Sequence, residues 1–274
     1  MFKIIIMALL IFIGMVGYDN ITDKAQPTTP IQQEQQKVSK HEKSAAMALF
    51  TSLLPPKEEW PSPVHKFYLA FNMDEVIDPI RQNPNWTSLD AMSRDIPQAL
   101  IAIEDHAFYN HGAIAVESIL RAALANINAG EVVQGGSTLT QQFVKNVFLS
   151  HEQSMERKIE EAVLSLMLED NYSKDEILEL YLNTTYFGAG STGIKQASRT
   201  YFGKAPSALT LAEAAVIASL PYAPTSLNPL ENPEGCKKRQ LLVLAAMHKY
   251  GMINQGQLAE AKTEKIRLTN GTVM

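Results

Sequence analysis

The sequence predicts a mainly α-helical protein, and three observations carry that prediction. From Ile96 onward apolar residues recur at helical spacing rather than in strand-like alternation. Start and stop residues punctuate these runs: Ser173 precedes one, Gly130 and Gly251 follow two others, and Pro221 stops a fourth. Period-two alternation is scarce, with only residues 64–78 offering room for a short strand.

In chain order, the first segment is FKIIIMALLIFIGMVGY, in which Lys3 precedes an uncharged apolar run from Ile4 to Tyr18. The run is shorter than the roughly 20 residues of a typical spanning helix, and no small-x-small cleavage site follows. Residues 1–18 are therefore expected to form an uncleaved signal anchor, with a cleaved signal peptide as the alternative. Either leaves the rest of the chain outside the cytoplasmic membrane. Residues 19–60 are rich in Gln, Lys, Thr and Pro and read as a linker, and 61–95 as a segment ahead of the main domain. That domain is expected over 96–265, beginning with a helix in IPQALIAIEDHAFYNH, where Pro97 suits a first turn. Further helices are expected in VESILRAALANINAG, SMERKIEEAVLSLMLED, KDEILELYLN, LTLAEAAVIASL and CKKRQLLVLAAMHKYG.

Bulk properties narrow the function classes. A chain of 274 residues holds one sizeable domain with tails or two small ones, and 46% hydrophobic content with 19% charged fits a packed core. A net charge of -5 argues against general nucleic-acid binding, so an anionic ligand would need a local cluster of cations. The single cysteine, Cys236, excludes an internal disulfide and a cysteine-based zinc site.

Four segments carry chemistry. In AIEDHAFYNH a continuing helix would put Glu104, Phe108 and His111 on one face, with Asp105 beside them. A carboxylate sheltered there would have a raised pKa and suit a general base; an ordinary acidic pair with a structural histidine is the plainer reading. His106 and His111 lack a third ligand cluster that would make them a metal site. In ERKIEEAVLSLML, Arg157 and Lys158 stand four and three residues before Glu161, and AVLSLML carries apolar side chains on every face. That pattern fits either a solvated salt-bridge face or a site wall at the border of a core. In QGGSTLTQQFVKN, a helix starting near Ser137 or Thr138 would align Thr138, Gln142 and Lys145 as a polar stripe suited to a phosphate or a sugar. The spacing of a Walker loop is absent. Finally, LNTTYFGAGSTGIKQASRTYFGK interleaves aromatics with glycines, as structural turns and sugar-stacking platforms both do.

Together these segments resemble the peptidoglycan glycosyltransferase domain, glycosyltransferase family 51, of class A penicillin-binding proteins and monofunctional transglycosylases. The resemblance covers roughly Ile96 to Met252 and rests on five motifs in order: EDHAFYNH, QGGSTLTQQFVKN, RKIEE, ILELYLNTTYFGAGSTGIKQAS and LTLAEAAVIASLPYAPTSLNP. It implies a lysozyme-like, multi-helix fold with a head lobe and a smaller membrane-proximal jaw lobe. It implies Glu104 as the general base and Glu161 as a second catalytic carboxylate. Asp105, Phe108, His111, Thr138, Gln142, Lys145, Arg157 and Lys158 then fall at substrate-binding positions. The implied reaction polymerises lipid II into β-1,4-linked strands with inversion and release of undecaprenyl diphosphate. Mg²⁺ or Mn²⁺ could assist the diphosphate, Glu161 being one place to hold it, and no organic cofactor is implied. The implied partners are lipid II, the growing glycan strand, the cytoplasmic membrane, on whose outer face the domain would work, and other wall-synthesis proteins.

The family's His-x-Gly stands here as His111, Gly112 and Ala113, with the glycine one place early. Neither S-x-x-K nor K-T-G occurs in the sequence, so no covalent reaction with β-lactams is expected. The chain is then monofunctional, or a piece of a bifunctional protein. A lytic muramidase is the rival from another reaction class, because paired carboxylates also serve hydrolysis.

Overall fold

In the computed structural model the described residues are 68–69, 72–115, 117, 119, 135–149 and 154–274. The expected anchor and linker lie outside them, as does the helix expected to end at Gly130 except for Glu117 and Ile119, which are helical. From residue 72 on, the described residues belong to one compact unit. Its described residues form nine α-helices and, for β structure, only two isolated bridges, Tyr186 with Thr192 and Arg267 with Val273. The protein is mainly α, as expected. Among the described residues no helix is long and apolar enough to cross a membrane.

We number the helices α1 (Asp74–Arg81), α2 (Asp95–Glu104), α3 (Leu139–Phe148), α4 (Met155–Asn171), α5 (Lys174–Thr184), α6 (Ile194–Phe202), α7 (Leu211–Ser219), α8 (Pro233–Lys249) and α9 (Gln255–Thr263). Side-chain caps fix most starts. The hydroxyls of Thr138, Ser173 and Thr210 accept from the backbone N–H three residues on, and the glutamine or glutamate there bonds back. Ser154 caps α4, and Asn232 with Pro233 starts α8 before the expected Cys236.

The core is centred on α7, whose residues from Ala212 to Ser219 are all buried. Its alanines let α2 and α8 approach closely on either side, and Gln240 of α8 donates 2.8 Å to the Ala212 carbonyl. A second cluster forms where α3 packs on both α4 and α5.

Three expectations need correction. Residues 74–78, inside the expected strand, are helical, and α1 packs on α5 with Arg81 Nη2 2.9 Å from Glu176. The loop after α1 is also tied to α5: Asn183 Oδ1 accepts from Thr87 N at 2.9 Å, and Glu179 from Leu89 N at 2.8 Å. Residues 72–95 are thus integral to the unit rather than a segment preceding it. Finally, α2 does not continue to His111. It ends at Glu104, because Asp105 leaves the helix at φ -158° and ψ 71°, and Phe108–Asn110 form a separate 3₁₀ turn.

Candidate active site

The early end of α2 places Glu104 at a helix terminus facing α3. Gln142 Nε2 donates to Glu104 Oε2 at 3.0 Å, and the buried Tyr181 hydroxyl of α5 donates to Gln142 Oε1 at 3.0 Å. The second bond fixes the amide orientation, so the nitrogen must face the carboxylate. Burial raises the Glu104 pKa; the Gln142 hydrogen bond and the positive charges of Arg239 and Lys145 pull it back, and Asp105 pushes it up. The outcome is a carboxyl above its ordinary range, as general-base chemistry favours.

Asp105 is a buried junction. Its Oδ1 lies 2.6 Å from His111 Nε2, and its Oδ2 accepts from the Leu139 N–H at the start of α3 at 3.0 Å. His111 Nδ1 lies 2.6 Å from the Gly112 carbonyl oxygen. Both ring nitrogens thus face acceptors, an arrangement that favours the protonated ring. The Asp105 hydrogen bond accordingly raises the His111 pKa, against burial, which lowers it.

Thr138 is 1% exposed, and its hydroxyl caps α3 while donating 2.8 Å to the Ala113 carbonyl. Phe108 is fully buried, with Lys174 Nζ 4.5 Å from its ring centroid. Asp105, Phe108 and Thr138 therefore support the site from beneath, and the expected stripe on α3 reduces to Gln142 and the exposed Lys145. Ala113, where the resembled motif has glycine, is itself buried, so its methyl group is accommodated.

On α4, Glu161 is 2% exposed. One oxygen pairs with Lys158 and the other lies 3.9 Å from Arg157 Nη1. Lys158 Nζ also donates 3.1 Å to the Ser137 hydroxyl, tying α4 to the start of α3. Arg157 Nε is buried without a hydrogen-bond partner among the described residues. A divalent cation does not fit at Glu161, because both oxygens already face cationic groups. Among the described residues no group of three or more His, Cys, Asp or Glu could hold a metal ion.

Tyr181 and Arg239 escaped sequence reading. Tyr181 looks like one more apolar residue of an amphipathic helix, and Arg239 one more charge in CKKRQ. The aromatic–glycine segment resolves mainly into turn and core: Phe187, Tyr201 and Phe202 are buried, Ile194–Phe202 is helical, and only Tyr186 is substantially exposed.

A protein described as a transglycosylase from Cupriavidus necator is 40% identical over 194 residues, 71% of this chain and 84% of that protein. Penicillin-binding protein 1A of Aquifex aeolicus is 44% identical over 176 residues, 64% of this chain. The chain spans about a quarter of that relative's length, 24%. The family match runs over residues 73–248, from the start of α1 into the last turn of α8, and takes in every site residue described above. The chain belongs to the transglycosylase family.

Proposed function

We propose that the protein is a peptidoglycan glycosyltransferase that polymerises lipid II, with Glu104 as general base. Glu104 takes the proton from the 4-hydroxyl of the acceptor N-acetylglucosamine. That oxygen attacks the anomeric carbon of the donor muramyl unit from the face opposite the diphosphate. The carbon–oxygen bond to the diphosphate breaks with its electron pair, the α linkage becomes a β-1,4 bond, and undecaprenyl diphosphate leaves. The observation that carries this reading is a partly buried carboxylate with raised pKa, held by an oriented amide and faced by Lys145 and Arg239. Lys145, Arg157 and Lys158 would take the charge developing on the leaving diphosphate. Glu161 would act by orienting Arg157 and Lys158. A hydrolase of finished glycan has no diphosphate to neutralise, so these cations favour transfer over hydrolysis.

The same reading places the domain on the outer face of the cytoplasmic membrane, with lipid II and the growing strand as partners. The deciding experiment is a lipid II polymerisation assay with Glu104→Gln. The variant should fold, shown by an unchanged far-UV spectrum, and lose activity by a factor of about 10² or more. Full activity in the folded variant would remove Glu104 from the mechanism.

A further inference from the structure

The turn between α7 and α8 carries a side chain that the proposed reaction does not use. Tyr222 is 65% exposed, although Leu220, two residues earlier, is fully buried. One face of its ring is covered, since the Arg239 guanidinium carbon lies 4.0 Å from the ring centroid. The exposure therefore belongs to the opposite face and the hydroxyl edge.

This ring is held from two directions. Behind it, Arg239 belongs to α8 and sets its guanidinium over the ring face. Beneath it, Ala223 N donates 3.1 Å to the Leu220 carbonyl and Leu227 N donates 2.9 Å to the Ala223 carbonyl. The same turn is pressed on the glycine segment, where a Cβ at Gly188 would collide with the Pro224 carbonyl oxygen and the Tyr201 hydroxyl. An aromatic face fixed in advance loses little freedom when it binds.

Its position points to the ligand. Arg239 acts on Glu104 by its charge, and α8 packs on α2, whose last residue is Glu104. Arg157 and Lys158 belong instead to α4, which packs on α3. The ring is thus backed by a residue of α8, which packs on the base's own helix, and not by α4, which carries Arg157 and Lys158. A phosphate would seek donors rather than a ring face. A pyranose presents a flat C–H face rimmed by hydroxyls, which suits an amphipathic tyrosine.

We propose that Tyr222 is a sugar-stacking residue of the acceptor subsite. Its open face receives the pyranose ring of the saccharide whose hydroxyl Glu104 deprotonates, and Arg239 holds the ring from behind. This rests on the glycosyltransferase reading above.

The test uses the full chain with Tyr222→Ala, Tyr222→Leu and Tyr222→Phe, separating KM from kcat for lipid II. Ala and Leu should raise KM roughly three- to tenfold with kcat within about twofold, because a stacking contact is made before and during reaction alike. Phe should behave as wild type, since stacking does not need the hydroxyl. An unchanged KM in the alanine variant, or a phenylalanine variant as impaired as alanine, would overturn the proposal. A second measurement is independent of turnover: titration with the β-1,4-linked N-acetylglucosamine trimer, followed by NMR of the Tyr222 ring protons. Shifts are expected in wild type and in Glu104→Gln, and sugar-proton shifts are expected to vanish with Tyr222→Ala. Absence of shifts in wild type overturns the platform whether or not lipid II is polymerised. Failure to polymerise lipid II with the trimer shifts intact would instead overturn the reaction and leave the platform standing.

Discussion

Gln142 bears on how readily Glu104 ionises, opposing the effect of burial. Its nitrogen faces Glu104 because the Tyr181 hydroxyl occupies its oxygen, so a buried phenol that does not touch Glu104 orients the donor. Glu104 must be ionised to accept a proton, and burial lifts its pKa above the ordinary 4.5. Activity should therefore rise with pH through an acid limb above that value. Replacing Gln142 with alanine removes a bond that favours the anion, so the pKa rises further and the acid limb of kcat/KM moves to higher pH. A limb that stays put, or moves down, would show that the amide does not hold the anion. Glu104 and Gln142 were legible as residues of motifs. Their link through Tyr181 was not, because Tyr181 enters 39 positions after Gln142 from another helix, and no local period marks it.

At the scale of elements, caps were the legible part. Ser173 before KDEILELYLN stands where the structure caps α5, and Pro221 follows α7 within two residues. What local rules missed were α1, α6 and α9, all short, at eight or nine residues. Helices of that length owe their stability to packing rather than to their own propensity. Glycines and aromatics masked α6, whose buried face is Ile194, Ala197, Ser198, Tyr201 and Phe202. The end of α2 was misjudged for a related reason. Asp105 breaks the helix to bond His111 and the Leu139 N–H, partners that only the fold brings near. Asp105→Ala leaves the imidazolium without its acceptor and should destabilise the protein by about 3 kcal/mol or more at a pH below about 6. The His111 pKa is raised in the folded protein, so the pair's contribution is complete below the unfolded value of about 6.5 and fades as pH rises through the folded one. The gap between wild type and variant in urea midpoints should narrow accordingly. A gap independent of pH would assign the loss to the Leu139 bond alone.

Across the whole unit, the α7-centred helices and the α3–α4–α5 cluster must hold Glu104 and the cations of α3 and α4 in fixed relation. One tie between them is the contact of the loop after α5 with the turn after α7, made at Gly188 against Pro224. Gly188 and Gly190 provide a matched pair for testing it. Both have left-handed backbones, with φ of +87° and +70°, but a Cβ at Gly190 meets nothing within 4 Å while one at Gly188 strikes the Pro224 carbonyl. Gly190→Ala should cost only the left-handed strain, about 1–2 kcal/mol. Gly188→Ala adds overpacking against backbone that cannot rotate away, for a total of about 2–5 kcal/mol. Urea unfolding of the two variants measures the difference directly. Because the same contact seats the turn that carries Tyr222, Gly188→Ala should also raise KM for lipid II, and Gly190→Ala should not. Equal losses of stability would mean that the loop yields on contact and that the two helix clusters are joined elsewhere.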